Sequence, residues 1–92
     1  MTAPLSVMIT AGGAGIGRAI AEAFLKEGAL VHICDVDADA LDEVTELYPE
    51  IGGACLDVTD EEAFDQWFDD ALDELGGLDV MVNNAGIASS NH

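Results

Sequence analysis

Apolar residues in this chain fall into two alternating kinds of run, one short and continuous, the other longer and periodic. "LSVMIT" (5–10), "ALVHICD" (29–35), "GACLDV" (53–58) and the first part of "LDVMVNNAG" (78–86) are short and bounded by glycines or acidic residues. That is the pattern of buried strands. Between them the period becomes helical. Ile16, Ala19, Ile20, Ala23 and Phe24 share one face, with Gly28 placed to end that helix. Leu41, Val44, Leu47 and Tyr48 form the face of a second helix, which Asp37 or Asp39 can cap and Pro49 stops. Phe64, Trp67, Phe68, Ala71, Leu72 and Leu75 line a third. Thr59 and Glu62 are spaced as its capping box, and Gly76 and Gly77 close it.

Strict alternation of strands and helices, with strands apolar on both faces, predicts an α/β fold built on a parallel sheet with right-handed crossovers. The 92 residues suffice for one small domain, with no linker, internal repeat or low-complexity segment. The polar, aperiodic end reads as a flexible tail over 88–92.

Charge changes the picture of partners. Nineteen acidic residues stand against Arg18 and Lys26 alone, a formal charge of −17, so phosphate backbones and anionic membranes are repelled. Nucleic acid and membrane partners are not expected. The carboxylates are spread over predicted helix faces rather than gathered in a tail, which favours a solvated surface over a docking face for basic proteins. Cys34 and Cys55 lack CxxC spacing and clustered histidines, so they read as small buried hydrophobes and no metal site is expected. No stretch approaches about 18 consecutive apolar residues, and the start of the chain has no basic region followed by a long apolar run. The expectation is a cytoplasmic protein.

The candidate chemistry lies in "GGAGIG" (12–17), between the first strand and the first helix. A helix N-terminus presents unpaired N–H groups and a partial positive charge, which stabilise an anion without basic side chains. Glycines there let a pyrophosphate reach the backbone, and Gly17 lets helix and strand pack closely. Asp35 ends the second strand 18 positions after Gly17. There its carboxylate can accept from adenosine ribose hydroxyls and would repel a 2′-phosphate, favouring NAD over NADP. The alternative for Asp35 is a helix or turn cap. Ser89 and Ser90 beside His92 lie in the tail, where no scaffold fixes a nucleophile and base. His32 reads as a structural residue within a strand.

"ITAGGAGIGRAIA", "ICD", "CLDVTD" and "LDVMVNNAG", in that order and spacing, resemble the N-terminal, cofactor-binding part of the short-chain dehydrogenases/reductases, from about Leu5 to Ile87. The resemblance implies a partial Rossmann-type, doubly wound sheet of strand order 3-2-1-4 with helices on both faces. It assigns the pyrophosphate to Gly12, Gly13, Ala14, Gly15, Ile16 and Gly17, and NAD preference to Asp35. Adenine falls to Asp57 and Val58. The Asn83–Gly86 turn steadies the sheet and touches the cofactor through Asn84, Ala85 and Gly86. One departure is Ala11, where the family has glycine. In the expected strand order the first two helices cover one face of the sheet and the aromatic helix part of the other. "VMV" (80–82) and part of the Phe64, Trp67 and Phe68 neighbourhood would then be exposed.

The family's catalytic Ser and Tyr-x-x-x-Lys have no counterpart, since Tyr48 precedes "PEIG" and Lys26 lies in the first helix. No catalytic residue is assigned. The expectation is therefore a single NAD(P)-binding half-domain over 1–92, a fragment of an NAD(P)-dependent oxidoreductase that moves hydride between alcohol and ketone and is inactive alone. The alternative is a non-catalytic nucleotide-binding or interaction module that self-associates through its exposed fourth strand. An acidic decoy of nucleic acid would leave the four motifs unexplained.

Overall fold

The computed structural model describes residues 3–85. Four strands and three helices alternate: β1 (Ser6–Thr10), α1 (Gly15–Lys26), β2 (Leu30–Asp35), α2 (Ala38–Leu47), β3 (Gly52–Cys55), α3 (Glu61–Leu75) and β4 (Val80–Val82). The strands form one parallel sheet in the order β3-β2-β1-β4. This is a partial Rossmann-type sheet.

Alternation along the strands divides the core into two layers. Val7 and Ile9 of β1 and Val31 and Ile33 of β2 face Ala21 of α1 and Leu41 and Val44 of α2. Met8 and Cys34 face the other way, toward Trp67 and Ala71 of α3. β1 is buried at all five positions because both layers cover it. The two faces are unequally filled. Four strand residues meet two helices on one side, whereas α3 relies on an aromatic cluster in which Phe64 packs edge-on to Trp67 with ring centroids 5.7 Å apart.

Helix ends follow local chemistry. Asp37 caps α2 by accepting from the Ala40 N–H at 3.1 Å, and Asp60 caps α3 by accepting from the Ala63 N–H at 3.2 Å. Gly28 follows α1 at φ +86°, and Gly76 ends α3 at φ +76°, a left-handed conformation that glycine adopts without a Cβ penalty.

Four local expectations are corrected. The cap of α3 is Asp60, not Thr59, because the helix begins at Glu61, which puts Asp60 at the cap position with its carboxylate on the Ala63 N–H; Thr59 lies one residue earlier and donates its hydroxyl to Asp57 at 2.7 Å. β3 is shorter than "GACLDV": the Leu56 N–H still reaches the Asp35 carbonyl, but Asp57 then turns the chain. Leu47 is exposed, since only Leu41 and Val44 of α2 reach the sheet. Cys55 is exposed at the end of an edge strand, while Cys34 is buried as expected.

Candidate functional site

In a parallel sheet all carboxyl ends lie along one edge, and here the loops leaving them carry the candidate residues. Gly12–Gly17 follow β1, Asp35 ends β2, Asp57 and Val58 follow β3, and Asn84 and Ala85 follow β4. The connections β1 to β2 and β2 to β3 run one way along the sheet and β3 to β4 the other. The reversal opens a crevice beside the end of β1, the place where open α/β sheets take ligands. Gly86, Ser89, Ser90 and His92 lie outside the described residues, as does the 88–92 tail.

The glycines of the turn have separate jobs. The Gly12 N–H donates to the Cys34 carbonyl at 3.1 Å, carrying the β1–β2 ladder past its last pair, and a Cβ on Gly12 would meet Ile33 Cβ at 2.6 Å. Gly13 sits against the start of α2, where a Cβ would lie 2.9 Å from Asp35 Oδ2 and 3.2 Å from the Leu41 nitrogen. Gly17 is buried against the Ala11 carbonyl and the Asn84 amide, and a Cβ would overlap both. Gly15 differs. Its φ is +59°, and among the described residues nothing lies within 4 Å of where its Cβ would be. Gly12, Gly13 and Gly17 therefore bring elements together, and Gly15 leaves backbone open.

Gly15 also begins α1. The first bond into the helix runs from the Arg18 N–H to the Ala14 carbonyl, so the N–H groups of Gly15, Ile16 and Gly17 have no intrahelical acceptor. Ala14, at the N-cap, has no side-chain oxygen to offer, and no acidic residue occupies the first turn. Ile16, in the first turn at this opening, is 69% exposed. An anion with an apolar body suits that combination of free donors and bare hydrocarbon.

The fourth strand's turn is tied to the first strand's end. Thr10 Oγ1 donates to Asn83 Oδ1 at 3.3 Å and accepts from the Ala85 N–H at 2.9 Å, while Asn84 Nδ2 donates to the Ala11 carbonyl at 3.2 Å. Motif and periodicity do not single out Thr10. Its signal is a hydroxyl ending an otherwise apolar strand, a place where a buried oxygen must find partners. Ala11, held by these bonds, has φ +54°, the left-handed region that costs a residue with a Cβ about 1–2 kcal/mol.

Asp35 is half-buried, with Oδ2 accepting from the Gly13 N–H at 2.9 Å and Oδ1 from the Asp37 N–H at 2.9 Å. Asp57 is exposed and accepts from the Thr59 N–H and hydroxyl, which hold its carboxyl below the usual range. Val58 packs toward the α3 layer. Cys34 is buried beneath the turn, and the loss of solvent pushes its thiol up to about 11, so it is a protonated core residue at neutral pH. Arg18 does not serve the opening: it bonds Glu22 at 3.1 Å and Glu43 of α2.

Two larger concavities, of about 490 and 500 Å³, lie between α3 and β3 and between α1 and the end of α2. Neither is lined by Gly12–Gly17, Asp35, Asp57, Val58, Asn84 or Ala85. Among the described residues no group of three His, Cys, Asp or Glu side chains could hold a metal ion, and no helix is long and apolar enough to cross a membrane.

The short chain dehydrogenase family model matches residues 6–92. The chain belongs to the short-chain dehydrogenase family. It is 40% identical over 83 residues to sorbitol dehydrogenase of Cereibacter sphaeroides, covering 89% of this chain and 32% of that protein. It is 42% identical over 83 residues to 7alpha-hydroxysteroid dehydrogenase of Escherichia coli K12, covering 86% and 32%. The crystal structure of 3-ketoacyl-(acyl-carrier-protein) reductase from Brucella melitensis, complexed with NADH, superposes with a TM-score of 0.77 at 29% identity, over 84% of this chain and 32% of that one. This short-chain dehydrogenase chain thus spans about a third of the length of the relatives it matches. The shared third is the Rossmann-type sheet.

Proposed function

We propose that this chain is the cofactor-binding portion of an NAD(P)-dependent oxidoreductase and takes NAD in preference to NADP. The observation that carries the reading is the uncapped N-terminus of α1, with free N–H groups at Gly15, Ile16 and Gly17 and an open Cβ position at Gly15. That opening accepts a pyrophosphate without displacing any side chain. Asp35 stands across the glycine turn as an acceptor for ribose hydroxyls and an anionic obstacle to a 2′-phosphate. Asp57 and Val58 form the adenine side, and Asn84 and Ala85 border the crevice. The NADH-bound reductase of Brucella melitensis supports the choice of ligand by similarity.

Bound nicotinamide would supply hydride chemistry between an alcohol and a ketone. The chain's own residues bind and orient; none supplies the phenol and ammonium pair that exchanges the substrate proton in this family. The domain is accordingly read as one NAD(P)-binding half-domain over 1–92, with catalysis belonging to a longer form. Calorimetric titration of the purified chain with NADH and with NADPH tests this. Binding of NADH with weaker binding of NADPH is expected, without turnover of alcohols or ketones; a folded chain that binds neither nucleotide would overturn it.

A second reading rests on β4. Its outer edge pairs with no strand among the described residues, and Met81 is 37% exposed there. Self-association through that edge would give a dimer in light scattering that Met81→Lys dissolves.

A further inference from the structure

We infer that Asp35 is a positioning residue for the glycine turn as well as a cofactor selector, and that these two roles cannot be separated by removing its charge. The inference rests on the nucleotide-binding reading above and deepens it.

Three pieces of backbone meet at one carboxylate. Asp35 Oδ2 holds the Gly13 N–H and Oδ1 holds the Asp37 N–H, each at 2.9 Å. Gly13 in turn lies against the start of α2, with the Leu41 nitrogen 3.2 Å and the Ala40 carbonyl carbon 3.3 Å from the position of a Cβ. The turn after β1, the end of β2 and the cap of α2 are therefore tied through the same side chain. Asp37 uses its own carboxylate on the Ala40 N–H, so it is not free to replace Asp35.

An ionised carboxylate has about four lone-pair positions, of which two are taken by these amides, leaving acceptor capacity for ribose hydroxyls. The two amides also fix its direction. A 2′-phosphate meets a carboxylate that cannot swing aside without giving up two charge-assisted hydrogen bonds. Selection is stiff for that reason. The same bonds make a neutral replacement damaging: an asparagine offers one acceptor oxygen and turns an NH₂ toward a second N–H donor. Losing charge would relieve the repulsion of NADPH but loosen the turn on which either pyrophosphate rests.

Asp35→Asn and the unaltered chain should be compared in two ways. Amide hydrogen exchange without nucleotide should quicken at Gly13 or Asp37 by about tenfold, as loss of a hydrogen bond to a charged acceptor implies. Titrations should show NADH affinity falling by about tenfold or more while NADPH affinity stays within about threefold of its starting value. Unchanged exchange with about a tenfold gain in NADPH affinity would make Asp35 a simple charge filter and overturn the positioning role. An equal fall for both nucleotides, leaving their ratio unchanged, would overturn the selecting role. An unaltered chain that binds neither nucleotide overturns the nucleotide reading and the selectivity with it, while the exchange comparison still reports on the turn. Should the variant fail to fold, through-hydrogen-bond scalar coupling between the Gly13 nitrogen and the Asp35 carboxylate carbon in the unaltered chain decides the contact. Its presence is expected, and its absence overturns the proposal.

Discussion

The N-termini of α1 and α3 face opposite problems with the same backbone. At α3, Asp60 caps the first turn and Glu61 and Glu62 add negative charge to the positive end of the dipole. At α1 the cap position is Ala14 and the first turn holds no acid, in a chain where acids outnumber bases nineteen to two. α3 satisfies its own donors. α1 keeps its donors for something outside the helix, and the glycines around it are arranged so that the opening is rigid on its inner side and bare on its outer side. On the proposed function, the difference separates a helix end that serves stability from one that serves binding.

The strongest way to break that comparison is to exchange the inner and outer glycines for alanine. In Gly17→Ala the new Cβ runs into the Ala11 carbonyl, which is backbone, and the Asn84 amide, itself fixed to that carbonyl. Overpacking of this kind costs about 3 kcal/mol or more, and urea denaturation should show a chain that is largely unfolded or severely weakened. Gly15→Ala has no such neighbour. Its φ of +59° costs a residue with a Cβ about 1–2 kcal/mol, so the fold should survive while NADH binding falls, because the Cβ projects into the space left for the pyrophosphate. If Gly15→Ala binds NADH as well as the original chain, the open side of the turn is not the phosphate seat.

A second variant sharpens the comparison by making α1 resemble α3. Ala14→Asp supplies a cap where none exists, worth about 1 kcal/mol of stability. It also places a carboxylate where an incoming pyrophosphate needs free N–H groups. Stability in urea should rise while NADH affinity falls by about tenfold, an opposed pair of effects that a general disturbance of the fold could not produce. Affinity unchanged by a working cap would mean that the free donors of α1 do not hold the nucleotide.

The two ends are not equally legible in the sequence. The strand order and the division of helices between two faces follow because the four motifs fix the family, and the apolar runs mark each element. The open turn is legible too, since "GGAGIG" carries its glycines in plain view. The cap of α3 lies one residue from where the pattern puts it. Thr59 and Glu62 have capping-box spacing, but α3 begins at Glu61, so the cap position falls on Asp60, and that start depends on where β3 stops and Asp57 turns the chain. The burial of Trp67 is not legible because it depends on how far α3 lies over Met8 and Cys34. Thr10 escapes for a similar reason. Its partners at Asn83 and Ala85 are 73 and 75 residues away, a separation no local pattern spans. Periodicity finds elements and faces; side chains that join distant loops emerge only when the sheet order brings the loops together.

The smallest effect expected concerns Ala11, the one departure within the turn that is visible in the sequence. Its φ of +54° is the conformation for which the family's glycine is suited, and it is held there by the Asn84 bond to its carbonyl on one side and the Thr10 contacts on the other. Ala11→Gly would relieve a left-handed penalty of about 1–2 kcal/mol. It would also make the unfolded chain more flexible, which offsets roughly 0.5–1 kcal/mol. The net expectation is a gain in urea stability of about 0.5–1 kcal/mol, with NADH affinity changed by less than about threefold because the carbonyl of residue 11 keeps its Asn84 bond in either case. A loss of stability instead would mean that the strain at Ala11 is already absorbed by the turn. The inner side would then owe its shape to the Thr10 bonds to Asn83 and Ala85 and to the Asn84 bond, which holds the carbonyl of residue 11 whichever side chain that residue carries.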